Sequence, residues 1–126
     1  MAKKNKTVHI PINEVYLVGR ITSKSGEKKL PSGDLVSEFR MVIDRGKKAG
    51  AIDTIDVAAW KSSLRKRIDA IEIDTWIEVK GSVRRRFWQS ATGLASRWQV
   101  EATQITRLWR YFQAQLVRFS AWTKNH

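Results

Sequence analysis

Between Lys80 and Trp88 the chain reads K-G-S-V-R-R-R-F-W, three arginines running straight into two aromatic rings. Guanidinium groups bind anionic oxygens through charge-assisted hydrogen bonds, and ring faces stack on other flat π-systems. Side chains alternate between faces along a strand. Val83, Arg85 and Phe87 then share one face, and Arg84, Arg86 and Trp88 share the other. Whichever face is outward sets cation beside ring. A flexible nucleic acid strand presents the matching groups, phosphates to neutralise and base faces to stack on. The segment holds none of the acid, base or metal-binding groups that catalysis would need.

The elements that must position this segment follow from periodicity. Asn13–Ser23 alternates as a strand, with Gly19 marking a bend or bulge. Lys24–Gly33 is polar and holds Gly26, Pro31 and Gly33, which predicts a loop closing in a Pro-Ser-Gly turn. Leu35–Asp44 returns as a strand with Phe39, Met41 and Ile43 on one face, and Arg45–Gly50 is a basic glycine loop. Asp53–Trp60 is a third strand, with Ile55, Val57 and Ala59 opposite Asp56, Ala58 and Trp60. The period then changes: Leu64, Ile68 and Ile71 recur at helical spacing, predicting a short amphipathic helix over Ser62–Glu72. Thr75–Trp88 is a long strand, Ala91-Thr92-Gly93 a hairpin tip, and Arg97–Ile105 the last strand. Five strands with a helix between the third and fourth is the order of an OB-fold, an all-β Greek-key barrel. Beyond it, Leu108, Phe112, Leu116, Phe119 and Trp122 form one stripe, with Arg107, Arg110, Arg118 and Lys124 around it. This predicts a basic amphipathic C-terminal helix that packs on the barrel or a neighbouring subunit; a docking or surface-binding helix is the alternative. The organisation expected is a basic N-terminal arm over 1–12, the barrel over 13–106 and the helix over 107–126.

Composition narrows the partner. The 126 residues suit one domain. Lys and Arg number 24 against 12 Asp and Glu, a formal net charge of +12. Such an excess favours a polyanion, by steering and by release of condensed counterions. There is no cysteine, so disulfides, thiolate zinc sites and a cysteine nucleophile are excluded, and a reducing cytoplasm fits. No apolar run approaches the ~18 residues of a membrane-spanning helix, and the basic arm Met1–Lys6 is not followed by the apolar segment of a secretory signal. The two histidines, His9 and His126, lie near the termini, and no phosphate-binding G-x-x-x-x-G-K-[ST] loop occurs. The acidic groups Asp53 with Asp56, and Asp69 with Glu72 and Asp74, read as turn, strand-rim and helix-surface charges rather than a magnesium site. Neither enzyme chemistry nor a cofactor or metal is expected.

Several segments, in order, resemble the bacterial single-stranded DNA-binding proteins of the homotetrameric type. They are N-E-V-Y-L-V-G-R from Asn13; P-S-G at 31–33 leading into Val36–Asp44; I-D-V-A-A-W-K from Ile55; I-E-V-K-G-S-V-R from Ile77; then Thr92-Gly93 and R-W-Q-V-E from Arg97. The resemblance covers about residues 13–106. It implies an OB-barrel, assembly as a homotetramer, and single-stranded DNA wrapped around the outside in a nucleoid-associated, cytoplasmic setting. It places one base-stacking aromatic at Trp60, before the helix, and a second at Trp88. Two other positions that carry aromatics in many members hold Thr54 and the Gly46-Lys47-Lys48 region here. The flexible linker with an acidic tip, through which the family recruits other proteins, has no counterpart, so recruitment by that route is not expected and other protein partners are undefined.

The expected contact set is therefore Trp60 and Trp88 for stacking and Arg84 and Arg86 for phosphates, with Arg20, Arg40, Lys47 and Lys48 as secondary candidates. Trp98 alternates with Val100 and Ala102, and Phe87 falls on the face of Val79 and Val83. Trp98 is expected in the core or an interface, and Phe87 in the core unless the hairpin twists outward. The function these residues predict is binding of single-stranded DNA with little sequence preference, protecting it during replication, recombination or repair. An RNA-binding OB module, and a protein-interaction scaffold, are the competing readings.

Overall fold

A computed structural model describes residues 7–46 and 50–108. Its elements run β1 (Val15–Lys29), β2 (Leu35–Asp44), β3 (Ile52–Ala59), α1 (Ser62–Ala70), β4 (Trp76–Ser90) and β5 (Gly93–Arg107). The strands close into a barrel in the order β1-β2-β3-β5-β4. Every pairing is antiparallel except β3 with β5, which meet in parallel at Val57–Val100 and Ala58–Glu101. This is the expected five-stranded architecture with one helix between β3 and β4. The expected C-terminal helix lies outside the described residues, save that Arg107 ends β5 and Leu108 is buried.

Alternation builds the core. Ile21, Phe39, Met41, Val57, Ala59, Ile77, Val79, Val100, Ala102 and Ile105 point inward from the five strands, and Leu64, Ile68 and Ile71 bring the apolar side of α1 onto them. The helix is tied down by one cation from β1 and two of its own. Lys24 Nζ donates to the carbonyls of Ile71 (2.8 Å), Asp69 (3.2 Å) and Ile68 (3.4 Å) at the end of the helix, where carbonyls lack intrahelical partners; that of Ile68 also accepts from the Ile71 N–H. Arg67 reaches the Ile105 carbonyl at 3.2 Å, and Arg65 donates to the Trp60 carbonyl and, at 2.8 Å, to Glu27.

Three expectations need correction. Lys24–Lys29 is strand rather than loop: it pairs with Leu35–Phe39, and the turn shrinks to the residues between Lys29 and Leu35. Its polar sequence misled because the side chains of this end of β1 are mostly exposed, while the apolar and buried residues of the ladder, Val36 and Phe39, belong to β2. The irregularity in β1 falls between Ile21 and Ser23 and again between Lys24 and Gly26, not at Gly19, which pairs in regular register with Ile77. Gly26 takes a φ of 77°, a backbone conformation that few other residues adopt. Third, Phe87 and Trp98 are not in the core; they are 57% and 61% exposed.

The last correction has a simple cause. Beyond Gly81, β4 has no β1 partner, and before Val100, β5 has no β3 partner. From there to the tip the two strands form a ribbon whose only strand pairing among the described residues is with each other, though the Asn13 side chain bonds the backbone N–H and carbonyl of Val83 at 2.8 Å each. Phe87 and Trp98 do belong to the inward-facing set, but the ribbon carries them past the last layer of the barrel. The Ala91-Thr92 turn is two residues long, so the strands run to Ser90 and from Gly93, beyond the ends expected at Trp88 and Arg97.

Candidate nucleic-acid interface

The other face of the ribbon meets the barrel. Pairing outward from the turn sets Trp88 opposite Ala95, Arg86 opposite Arg97, and Arg84 opposite Gln99. Across from them β2 presents Glu38 and Arg40, paired with Ala58 and Asp56 of β3, and β3 leads into Trp60. Trp60 and Trp88 thus flank a groove built from the outer face of β2–β3 and one face of the β4–β5 ribbon. Lys28, Glu38, Arg86, Trp88 and Arg97 line one hollow of it, and a second hollow continues past Phe39 to Arg40 and Asp56.

Glu38 organises the floor. It is 7% exposed. One oxygen accepts from Lys28 Nζ at 2.7 Å; the other accepts from Arg86 at 2.7 Å, Gln99 at 3.2 Å and Arg97 at 3.5 Å. Burial alone would raise the pKa of this carboxyl. Hydrogen bonds from Lys28 and Gln99, with the charges of Lys28 and Arg86, outweigh burial and bring it below the ordinary 4.5. The arginines held by Glu38 in turn address the rings. The Arg86 guanidinium lies 5.8 Å from the centre of the Trp60 ring, and Arg97 lies 5.9 Å from that of Trp88. Asp56 joins the second hollow to the first, accepting from Arg40 at 3.0 Å and lying 3.9 Å from Arg97. Lys28, Arg40, Arg86 and Arg97 thus face only Glu38 and Asp56, and the groove keeps a positive excess.

The structure therefore brings together Trp60, Trp88, Arg86 and Arg40. Arg84 shares their face, is exposed, and its side chain makes no hydrogen bond or ion pair among the described residues. Arg20 does not join them: its guanidinium turns to Asp74 at 3.4 Å, in the loop before β4. Lys47 and Lys48 lie outside the described residues. Sequence reasoning missed Arg97, Lys28, Glu38 and Gln99. Arg97 was within reach, because counting back from a two-residue turn pairs it with Arg86. Lys28 was hidden in a segment read as a loop.

Trp60 owes its place to β3 ending where it does. Ala59 is the last inward residue, Trp60 falls on the outer face, and Arg65 of α1 holds its carbonyl. No group of three or more histidine, cysteine or acidic residues able to hold a metal occurs among the described residues, and no helix among them is long and apolar enough to cross a membrane.

A closed five-stranded barrel of this strand order, with rings and cations interleaved across one outer face, defines an OB-fold of the nucleic-acid-binding class. The family model described as "Single-strand binding protein family" matches residues 12–108, and the chain belongs to that family, whose members bind single-stranded DNA without catalysing a reaction. Among solved structures it is similar to a chain of the Plasmodium falciparum SSB complex with ssDNA, with a TM-score of 0.61 at 18% identity, covering 81% of this chain and 99% of that one. A search of curated proteins by sequence finds no match.

Proposed function

We propose that single-stranded DNA runs through the groove between Trp60 and Trp88, with bases stacked on the two rings and phosphates on Arg84, Arg86, Arg97 and Arg40. The observation that carries this reading is the pair of rings, each with a guanidinium within 6 Å of its centre, on a face with more cations than carboxylates. All four bases have a π-face, so such a surface takes DNA with little regard to sequence. Lys47, Lys48 and Arg20 are proposed as outlying phosphate contacts. The chain protects exposed strands during replication, recombination or repair in the nucleoid. It self-associates as a homotetramer, and the exposed Val8, Ile10 and Ile12 offer apolar surface for contacts between subunits.

Removing a stacking ring costs ~1–3 kcal/mol per base. Trp60→Ala and Trp88→Ala should therefore each weaken oligo-dT binding by about fivefold to a hundredfold, read by titration with the fold checked by circular dichroism. Unchanged affinity in both variants, with the fold intact, would overturn the site.

A further inference from the structure

Only one face of the β4–β5 ribbon looks into the groove. The opposite face carries Arg85, Phe87, Leu94, Ser96 and Trp98. Its rings are more open than those at the groove: Trp98 is 61% and Phe87 57% exposed, against 42% for Trp88 and a half-buried Trp60. Arg85 sits between them, its guanidinium 5.5 Å from the centre of each ring. Both of its hydrogen bonds, at 3.1 and 3.0 Å, go to the neutral Ser96 hydroxyl. In the groove Arg86 and Arg97 share the carboxylate of Glu38. Arg85 has no carboxylate partner among the described residues. A guanidinium has five N–H donors in a rigid fork, so donors remain free beside two open ring faces.

We propose that this back face is a second platform for single-stranded DNA, taking bases on Trp98 and Phe87 and a phosphate on Arg85, so that the strand passes around the ribbon instead of along one side of it. The inference rests on single-stranded DNA being the ligand and extends its path beyond the groove. Charge favours this occupant over a second copy of the chain. A two-fold contact through this face would set Arg85 against its own counterpart, on a protein of net charge +12. Neither repulsion arises with a polyanion.

The test uses the full chain and oligo-dT of graded length, comparing wild type with Arg85→Ala, the double variant Phe87→Ala/Trp98→Ala, and Trp88→Ala as a reference for the groove. Because the three back-face side chains are exposed, their removal should leave the barrel folded. Oligonucleotides too short to round the ribbon should bind these variants normally. On longer ones the double variant should lose about fivefold or more in affinity and cover fewer nucleotides per protomer, and Arg85→Ala should lose part of the same increment. Photo-crosslinking of iodouracil-substituted oligonucleotides to wild type should label Trp98 or Phe87. Affinity and covered length unchanged at every oligonucleotide length would overturn the proposal. So would a loss of affinity that accompanies a fall in assembled mass with neither ring crosslinked, which would assign the face to contacts between copies. A normal loss in Trp88→Ala alongside inert back-face variants sinks only this inference. Inert Trp60→Ala and Trp88→Ala variants sink the groove itself.

Discussion

Glu38 is a carboxylate at the centre of the surface proposed to receive a polyanion, and its value lies in what it holds still. Three long cationic side chains, Lys28, Arg86 and Arg97, converge on it from β1, β4 and β5. Left in solvent, each would sample many rotamers and lose that freedom on binding. Anchored to Glu38, two of them already sit against the tryptophans. The anchoring is acid-sensitive in a direction that follows from its lowered pKa. The ionised form is favoured in the folded state, so Glu38 contributes fully above its ordinary value of 4.5, and that contribution is lost as pH falls through the depressed folded value. Glu38→Gln should therefore be less stable than wild type at neutral pH, with the gap closing in acid; thermal melts of both proteins across that range check this. The placement of Trp60 and Trp88 opposite the inward-facing side chains was legible from alternation. The Glu38 cluster was not, because its partners are spread from residue 28 to residue 99 and only barrel closure makes them neighbours.

The β4–β5 hairpin shows what a pattern of alternation does and does not contain. It sorts side chains between two faces correctly: Val83, Arg85 and Phe87 do part from Arg84, Arg86 and Trp88. It does not say where along the strand the barrel stops. Val100 is buried, while Trp98, on the same face, is open to solvent. The polar Lys24–Lys29 segment carries the same lesson: its own side chains stay mostly exposed although its β2 partners Val36 and Phe39 are buried. The ribbon's departure from the barrel is set at Gly81, beside the register shift between Lys80 and Gly81, where a Cβ would collide with the backbone carbonyl of Glu101. A backbone atom has little room to yield. Gly81→Ala should cost about 1–3 kcal/mol by overpacking, seen as a lower denaturation midpoint. An unshifted midpoint would mean that the two strands are not this close.

For the whole molecule, net charge points to the ligand but overstates how much of that charge is free to meet it. Of the 24 basic residues, Lys24, Arg65 and Arg67 are committed to backbone carbonyls, and Glu38 offsets part of the charge of Lys28, Arg86 and Arg97. Binding should still weaken steeply with salt, the logarithm of affinity falling by about 0.7 per phosphate neutralised for each decade of salt; oligo-dT titrations at several salt concentrations measure the slope, and a flat response would contradict the electrostatic groove. Lys24 draws out a different consequence. From β1 it closes the end of α1, a helix that starts two residues after Trp60 and grips that residue's carbonyl through Arg65. A reagent that acylates Lys24 would take this donor from the Asp69 and Ile71 carbonyls, leaving that of Ile68 only the Ile71 N–H, and loosen the helix end, and the disturbance would travel to Trp60. Amine-labelling would thus score Lys24 as a DNA contact on the strength of a bond that is wholly internal.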